Sequence, residues 1–223
     1  MKFTPNLTRT EWKQGLFALA VSLLLLPGLL GFLPLSPARQ NLTYYFLNFA
    51  LAVYVFRGFL HRNVKAALAQ PLLILYYALL GYVAHSFLGD LAALAADLLK
   101  PGFINLNDQT ILSRLDRDFA LTAAAIVVLV PIAEECFFRG LLFRGVYDRS
   151  PALAWLASVG GFAAVHVMGY VGLYDPLSLL AAFIQYLPAG VVLCVAYQRG
   201  GSILCPILTH SIVNFLAIYY AAR

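Results

Sequence analysis

A chain of 223 residues that is 62% hydrophobic and only 11% charged, with mean hydropathy +0.82, is too apolar for a water-soluble domain or a disordered polymer. Its long unbroken apolar runs also exclude a membrane β-barrel, whose strands are short and alternating, and leave an all-α polytopic transmembrane bundle as the fold class. The net charge of +5 implies no nucleic-acid partner, because the basic residues are scattered between apolar runs, where the positive-inside rule accounts for them.

About seven spans are expected, with eight possible. Residues 1–13 are polar and carry Lys2, Arg9 and Lys13. Span one runs over 15–35, interrupted by Pro27, Gly28 and Gly31; its length is nearer that of a membrane span than of a cleaved signal segment, so retention is expected. Span two covers 42–60 and leads into His61, Arg62 and Lys65. Span three opens at Pro71, a residue suited to a first helical turn, and reaches about Leu88. Residues 89–118 form the longest polar connection, in which 91–99 reads as a short surface helix stopped by Lys100-Pro101-Gly102. That connection sets Asp90, Asp97, Asp108, Asp116 and Asp118 against Lys100, Arg114 and Arg117. Span four begins near Phe119 and is expected to continue to Tyr147, kinked at Pro131, whose missing N–H frees a backbone carbonyl. Spans five, six and seven cover 152–171, 177–197 and 202–220. No internal repeat or low-complexity linker divides the chain, so 1–223 reads as a single transmembrane domain.

With seven spans and a cytosolic N-terminus, one side carries Lys2, Arg9, Lys13, Arg57, Arg62, Lys65, Arg139, Arg144, Arg149 and Arg199. The other carries Arg39, Lys100, Arg114, Arg117 and Arg223, the asymmetry that the positive-inside rule expects. The three cysteines, Cys136, Cys194 and Cys205, all fall in apolar runs and read as packing residues rather than a disulfide framework or a zinc knuckle.

Chemistry concentrates in span four. After an uncharged run over 119–133 come Glu134, Glu135 and Arg139, and ionisable groups at membrane depth are costly enough to mark functional sites. Glu135 and Arg139 are four apart with the acid N-terminal, the favoured order for a helical ion pair. Glu134 points about 100° away round the helix. One carboxylate is therefore expected to be held and the other free to react. Further along, His166 follows Phe162 by four residues, and His210 precedes Asn214 by four, so each pair shares a helix face. His61 and His85 read as structural.

These residues resemble the three motifs of the CPBP family, the CAAX proteases and bacteriocin-processing enzymes, also called the ABI family of glutamic-type intramembrane proteases. The resemblance rests on Glu134-Glu135-x-x-x-Arg139 with Gly140, on Phe162-x-x-x-His166 and on His210-x-x-x-Asn214. The run Arg199-Gly200-Gly201-Ser202-Ile203 before Pro206 is similar too, and the likeness covers about 119–216, leaving 1–118 as a variable set of N-terminal spans. It implies hydrolysis of a peptide bond without metal or other cofactor. Glu134 would activate water with help from His166, His210 and Asn214 would form an oxyanion hole, and Glu135 with Arg139 would support them. A carboxylate in a low-dielectric cavity is a better base than one in bulk water, and each oxyanion donor in such a site contributes about 3–4 kcal/mol.

The resemblance also implies a protein or peptide substrate, lipidated or carrying a C-terminal sorting signal, cut near its C-terminus or close to the membrane. Membrane lipids would be the other partner, and a prokaryotic plasma membrane the location. Three other readings compete. A zinc-dependent membrane protease could use two Glu and two His, but the chain has no His-Glu-x-x-His and Glu135 with Arg139 is better explained as an ion pair. A non-catalytic scaffold or bacteriocin-immunity factor could use the same cavity. An ion or proton transporter would use the same carboxylates, without the inverted repeat such folds often show.

Overall fold

A computed structural model of the chain describes residues 6–105 and 119–221; Lys2, Asp108, Arg114, Asp116, Arg117, Asp118 and Arg223 lie outside the described residues. Six helices are long and apolar enough to cross a membrane: α1 (Arg9–Gly31), α2 (Pro37–Leu68), α3 (Pro71–Leu99), α4 (Ala120–Tyr147), α5 (Pro151–Met168) and α6 (Pro176–Gly200). A shorter apolar helix, α7 (Leu204–Ala221), follows. The protein is an integral, multi-pass helical bundle.

Local chemistry sets the helix ends. Thr8 and Glu11 form a capping box at α1, the Thr8 hydroxyl accepting from the Glu11 N–H at 3.1 Å while the Glu11 carboxylate accepts from the Thr8 N–H at 2.7 Å. Pro37, Pro71, Pro151 and Pro176 each occupy the first turn of a helix, where the N–H they lack would have had no intrahelical partner. α6 ends at Gly201, whose φ of +70° lets its N–H return to the Tyr197 carbonyl at 2.9 Å.

Two helices overrun their expected ends. α2 continues past residue 60 to Leu68 because its polar residues find partners inside the bundle. Arg62 pairs with Glu11 at 2.6 Å, and Asn63 donates to the Phe59 carbonyl at 2.9 Å and accepts from the Ile203 N–H at 2.9 Å. The expected surface helix over 91–99 is not separate. α3 runs unbroken to Leu99, and its buried stripe of Ile74, Ala78 and Gly81 is continued by Ala92 and Ala96. Neither Gly89 nor Asp90 interrupts it. The stop at Lys100-Pro101-Gly102 is where the sequence places it, with Gly102 at φ +75° and its N–H on the Asp97 carboxylate at 2.8 Å.

Contacts between helix ends fix the order of crossing. Asn6 donates to Asp148 at 3.1 Å, joining the start of α1 to the end of α4, and the Arg62 and Asn63 contacts bring the end of α2 to the starts of α1 and α7. At the opposite end, Lys100 pairs with Asp175 and also donates to Ser178, tying the end of α3 to the start of α6. That contact, with Ser178, holds the Asp175 carboxyl well below the usual carboxylate range. The tie therefore persists at neutral pH and is lost only in acid, as pH falls from the unfolded carboxylate value through the folded one. Successive helices alternate in direction, and 89–99 belongs to α3 rather than to a re-entrant piece. Arg139, counted above among the interfacial cations, is 0% exposed and lies inside the bundle.

The core sits among α1, α2, α4, α5 and α6, with Phe56 edge-on to Phe137 at 5.7 Å between centroids. α6 meets α5 at Gly190, where an added Cβ would lie 2.9 Å from Val159 Cγ1 and 3.1 Å from its Cα. Backbone at that distance cannot step aside as a flexible side chain would. Gly190→Ala is expected to lower stability by about 1–3 kcal/mol, read as a drop in the melting midpoint of the detergent-solubilised protein.

Candidate functional site

α4 is not a uniform α-helix. Ala125–Leu129 and Cys136–Arg144 are π-helical, and the short α-turn Val130–Glu135 lies between them. Such widened turns are frequent at functional sites. In the first of them the Val130 N–H reaches back five residues to the Ala125 carbonyl. In that register the next donor, to the Ile126 carbonyl, would come from position 131, which is proline. The carbonyl freed at Pro131 is thus that of Ile126, and Asn214 on α7 captures it, its Nδ2 donating at 2.9 Å.

The same distortion sets the charged residues into the bundle. Arg139 Nη1 lies 3.1 Å from Glu135 Oε1, both side chains fully buried. Its Nη2 donates to the Gly190 carbonyl at 3.2 Å and reaches Ala189 at 3.5 Å, and the guanidinium stands 4.4 Å from the centroid of the Phe162 ring. Planarity and several fixed donors are what a buried Arg offers that Lys does not. Glu135 Oε1 also accepts from His210 Nδ1 at 2.9 Å. That bond settles the imidazole's orientation and turns Nε2 towards Glu134, whose Oε2 lies 3.9 Å away.

Glu134 is the exception among the charged groups. Its side chain keeps 20% exposure against 0% for Glu135; each has a buried Oε2 without a hydrogen-bond partner among the described residues, but Glu135 holds Arg139 and His210 through Oε1. Glu134 opens on a cavity of about 800 Å³, also lined by His166, His210 and Asn214. His166 Nδ1 donates to the Phe162 carbonyl at 2.8 Å, since a carbonyl can only accept, so the neutral ring presents Nε2 as a bare acceptor. The ring is stacked on Tyr186 at 4.2 Å and 24°. Tyr186 in turn donates to Asn105 Oδ1 at 3.2 Å, while Asn105 donates to Gln185 at 2.7 Å.

All six residues singled out by the sequence therefore meet. Glu134, Glu135, Arg139 and His210 form one linked cluster, and His166 and Asn214 share its cavity. Sequence reasoning missed the rest of the lining: Ser22, Tyr44 and Asn48 from α1 and α2, Asn105, Gln185 and Tyr186, and His85, which was read as structural. The available signal was the cost of burying polar groups in apolar spans, which applies to Ser22 and Asn48 as it does to Glu134. Among the described residues no group of three or more His, Cys, Asp and Glu side chains is arranged to hold a metal ion.

Fold and site together define a multi-pass membrane protein with an intramembrane centre of carboxylate, imidazole and amide. Residues 116–216, the stretch that carries the three motifs, match the family model described as type II CAAX prenyl endopeptidase Rce1-like. The chain is 26% identical over 103 residues to an uncharacterized 24.3 kDa protein of Escherichia coli, covering 46% of this chain and 45% of that one. It is 34% identical over 92 residues to the UPF0177 protein YbdJ of Lactococcus lactis subsp. lactis, covering 41% and 35%. The chain thus spans less than half the length of either relative. No solved structure matches it.

Proposed function

We propose that the protein is an intramembrane endopeptidase of the glutamic type, acting on a protein substrate presented from the membrane. The observation that carries this reading is Glu134, the one accessible carboxylate of the cluster, facing two imidazoles across a cavity large enough for a peptide segment. Glu134 takes a proton from water while the bare Nε2 of His166 accepts the second hydrogen and orients the nucleophile. The hydroxide adds to the scissile carbonyl carbon. His210, anchored through Nδ1–H on Glu135, donates to the oxyanion when it carries a proton on Nε2, and the Glu135 carboxylate balances the charge of that ring. Asn214 has two Nδ2 hydrogens; one stays on the Ile126 carbonyl and the other reaches the oxyanion. Glu134 then returns its proton to the leaving nitrogen, the C–N bond breaks, and a carboxylic acid and an amine are released.

The N-terminus faces the cytosol in this reading, supported by the basic residues at the end of the bundle shared by Arg62 and Arg149. A lipid group or a C-terminal sorting signal on the substrate fits the family description, and a plasma membrane of a prokaryote fits the two relatives. The test is to incubate isolated membranes with the purified protein and map protein termini by mass spectrometry, with and without phenanthroline. New termini are expected in both samples. Loss under the chelator, restored by added zinc, would replace the glutamate mechanism with a zinc-dependent one.

A further inference from the structure

The cavity wall supplied by α1 and α2 lies outside the matched residues 116–216 and carries a polar set of its own. Ser22, 2% exposed, stands in the π-helical turn Val21–Leu25 of α1, and Asn48, 8% exposed, faces it from α2. Ser22 Oγ donates to Asn48 Oδ1 at 2.7 Å, and the same Oγ lies 3.3 Å from Tyr44 Oη. A serine hydroxyl has a single hydrogen. With that hydrogen on Asn48, the Tyr44 contact requires the phenol to donate. Ser22 therefore orients both neighbours, leaving the two Nδ2 hydrogens of Asn48 as donors and the Tyr44 oxygen as an acceptor.

An interhelical tie would account for the Ser22–Asn48 bond alone, since small polar residues join membrane helices in this way. It does not account for the amide hydrogens of Asn48. They make no hydrogen bond among the described residues, and Asn48 lines the cavity, so they are open to whatever occupies it. The set also sits beside the reacting centre. α2 packs on the Val130–Glu135 turn, and Tyr44 and Glu134 line the same cavity. Among the described residues no lysine or arginine lines the cavity, Glu134 is its one carboxylate, and much of the remaining wall is apolar. A donor beside an acceptor suits the alternating C=O and N–H of an extended chain, and the apolar wall suits uncharged side chains.

Resting on the endopeptidase reading above, we propose that Asn48 and Tyr44, held by Ser22, form a main-chain-binding subsite for an extended, uncharged, apolar stretch of the substrate beside the scissile bond. Asn48 donates to a substrate carbonyl and Tyr44 accepts from a substrate N–H. Specificity would then come from α1 and α2, while the chemistry comes from α4 to α7.

The experiment uses the purified full chain in proteoliposomes and a panel of end-blocked, internally quenched decapeptides with apolar side chains. A peptide cleaved by the wild type is then remade with single backbone amides replaced by esters, one position at a time. Asn48→Leu is expected to raise KM about tenfold with kcat within about twofold, the size of one lost hydrogen bond. One ester position, which deletes the N–H that Tyr44 accepts, should raise the wild-type KM similarly and have no further effect on Tyr44→Phe. Tyr44→Phe, which keeps the ring's packing, should also raise KM, and melting midpoints near the wild-type value show that the variants are folded. A wild-type KM in both variants, or a fall in kcat at constant KM, overturns the subsite and leaves the endopeptidase reading in place. A panel on which the wild type cleaves nothing overturns both.

Discussion

Glu134→Gln is expected to lower peptide cleavage by about 10²–10⁴-fold while leaving the protein folded. Glutamine keeps the shape of the side chain and its placement at the cavity, but it cannot take a proton from water and hand it on. Stability should be nearly untouched, because Glu134 Oε2 accepts no hydrogen bond among the described residues and its side chain retains 20% exposure. No partner is orphaned by the change. The neighbouring Glu135 is the control: it is fully buried and serves both Arg139 and His210, so Glu135→Ala should lose activity and stability together. Mapping of protein termini in membranes from cells with each variant reads the chemistry, and melting of the purified proteins reads the fold. Wild-type cleavage by Glu134→Gln would rule out the proposed mechanism, whatever the other variants do.

The contrast between the two glutamates was readable from spacing, because an i,i+4 pair can only form on one helix face and a residue 100° away must face elsewhere. Two features of the site were not readable in that way. The sequence offers no reason to place Asn214 on a backbone carbonyl of α4, since which carbonyl Pro131 frees depends on whether the turn before it is α or π. Likewise His210 looks like a residue facing substrate, and its Nδ1 bond to Glu135 appears only once α7 is packed against α4. α3 exceeds its expected end at Leu88 because the acidic residues from Asp90 onward read as a polar connection with a separate surface helix over 91–99. A helix of 29 residues has length to spare beyond a bilayer core, and at its end Asp97 caps a backbone N–H instead of breaking the helix. Ser22, Tyr44 and Asn48 went unremarked because they are spread over two helices and fit no motif. They become a set only when α1 folds back on α2.

Arg139→Met is expected to destabilise the protein by about 3–5 kcal/mol, the usual cost of leaving one partner of a buried ion pair without the other. Methionine fits the volume of the aliphatic stem and can pack on Phe162, so little of the loss should come from a cavity. What remains is a Glu135 carboxylate at 0% exposure with His210 as its one named donor, and Gly190 and Ala189 carbonyls without the guanidinium. Arg139→Lys should recover part of the stability, since an ammonium restores the charge but not the planar set of contacts to Glu135, Gly190 and the Phe162 face. The decisive comparison is the double variant Glu135→Gln with Arg139→Met, which removes both charges at once. If the penalty lies in the stranded carboxylate, the double variant melts above Arg139→Met. If the loss comes only from the missing carbonyl contacts, the second change gives nothing back. Neither variant should cleave substrate well, because His210 is oriented by the Glu135 carboxylate that Arg139 holds in place. Equal melting of Arg139→Met and wild type would mean that the buried pair does not organise the site.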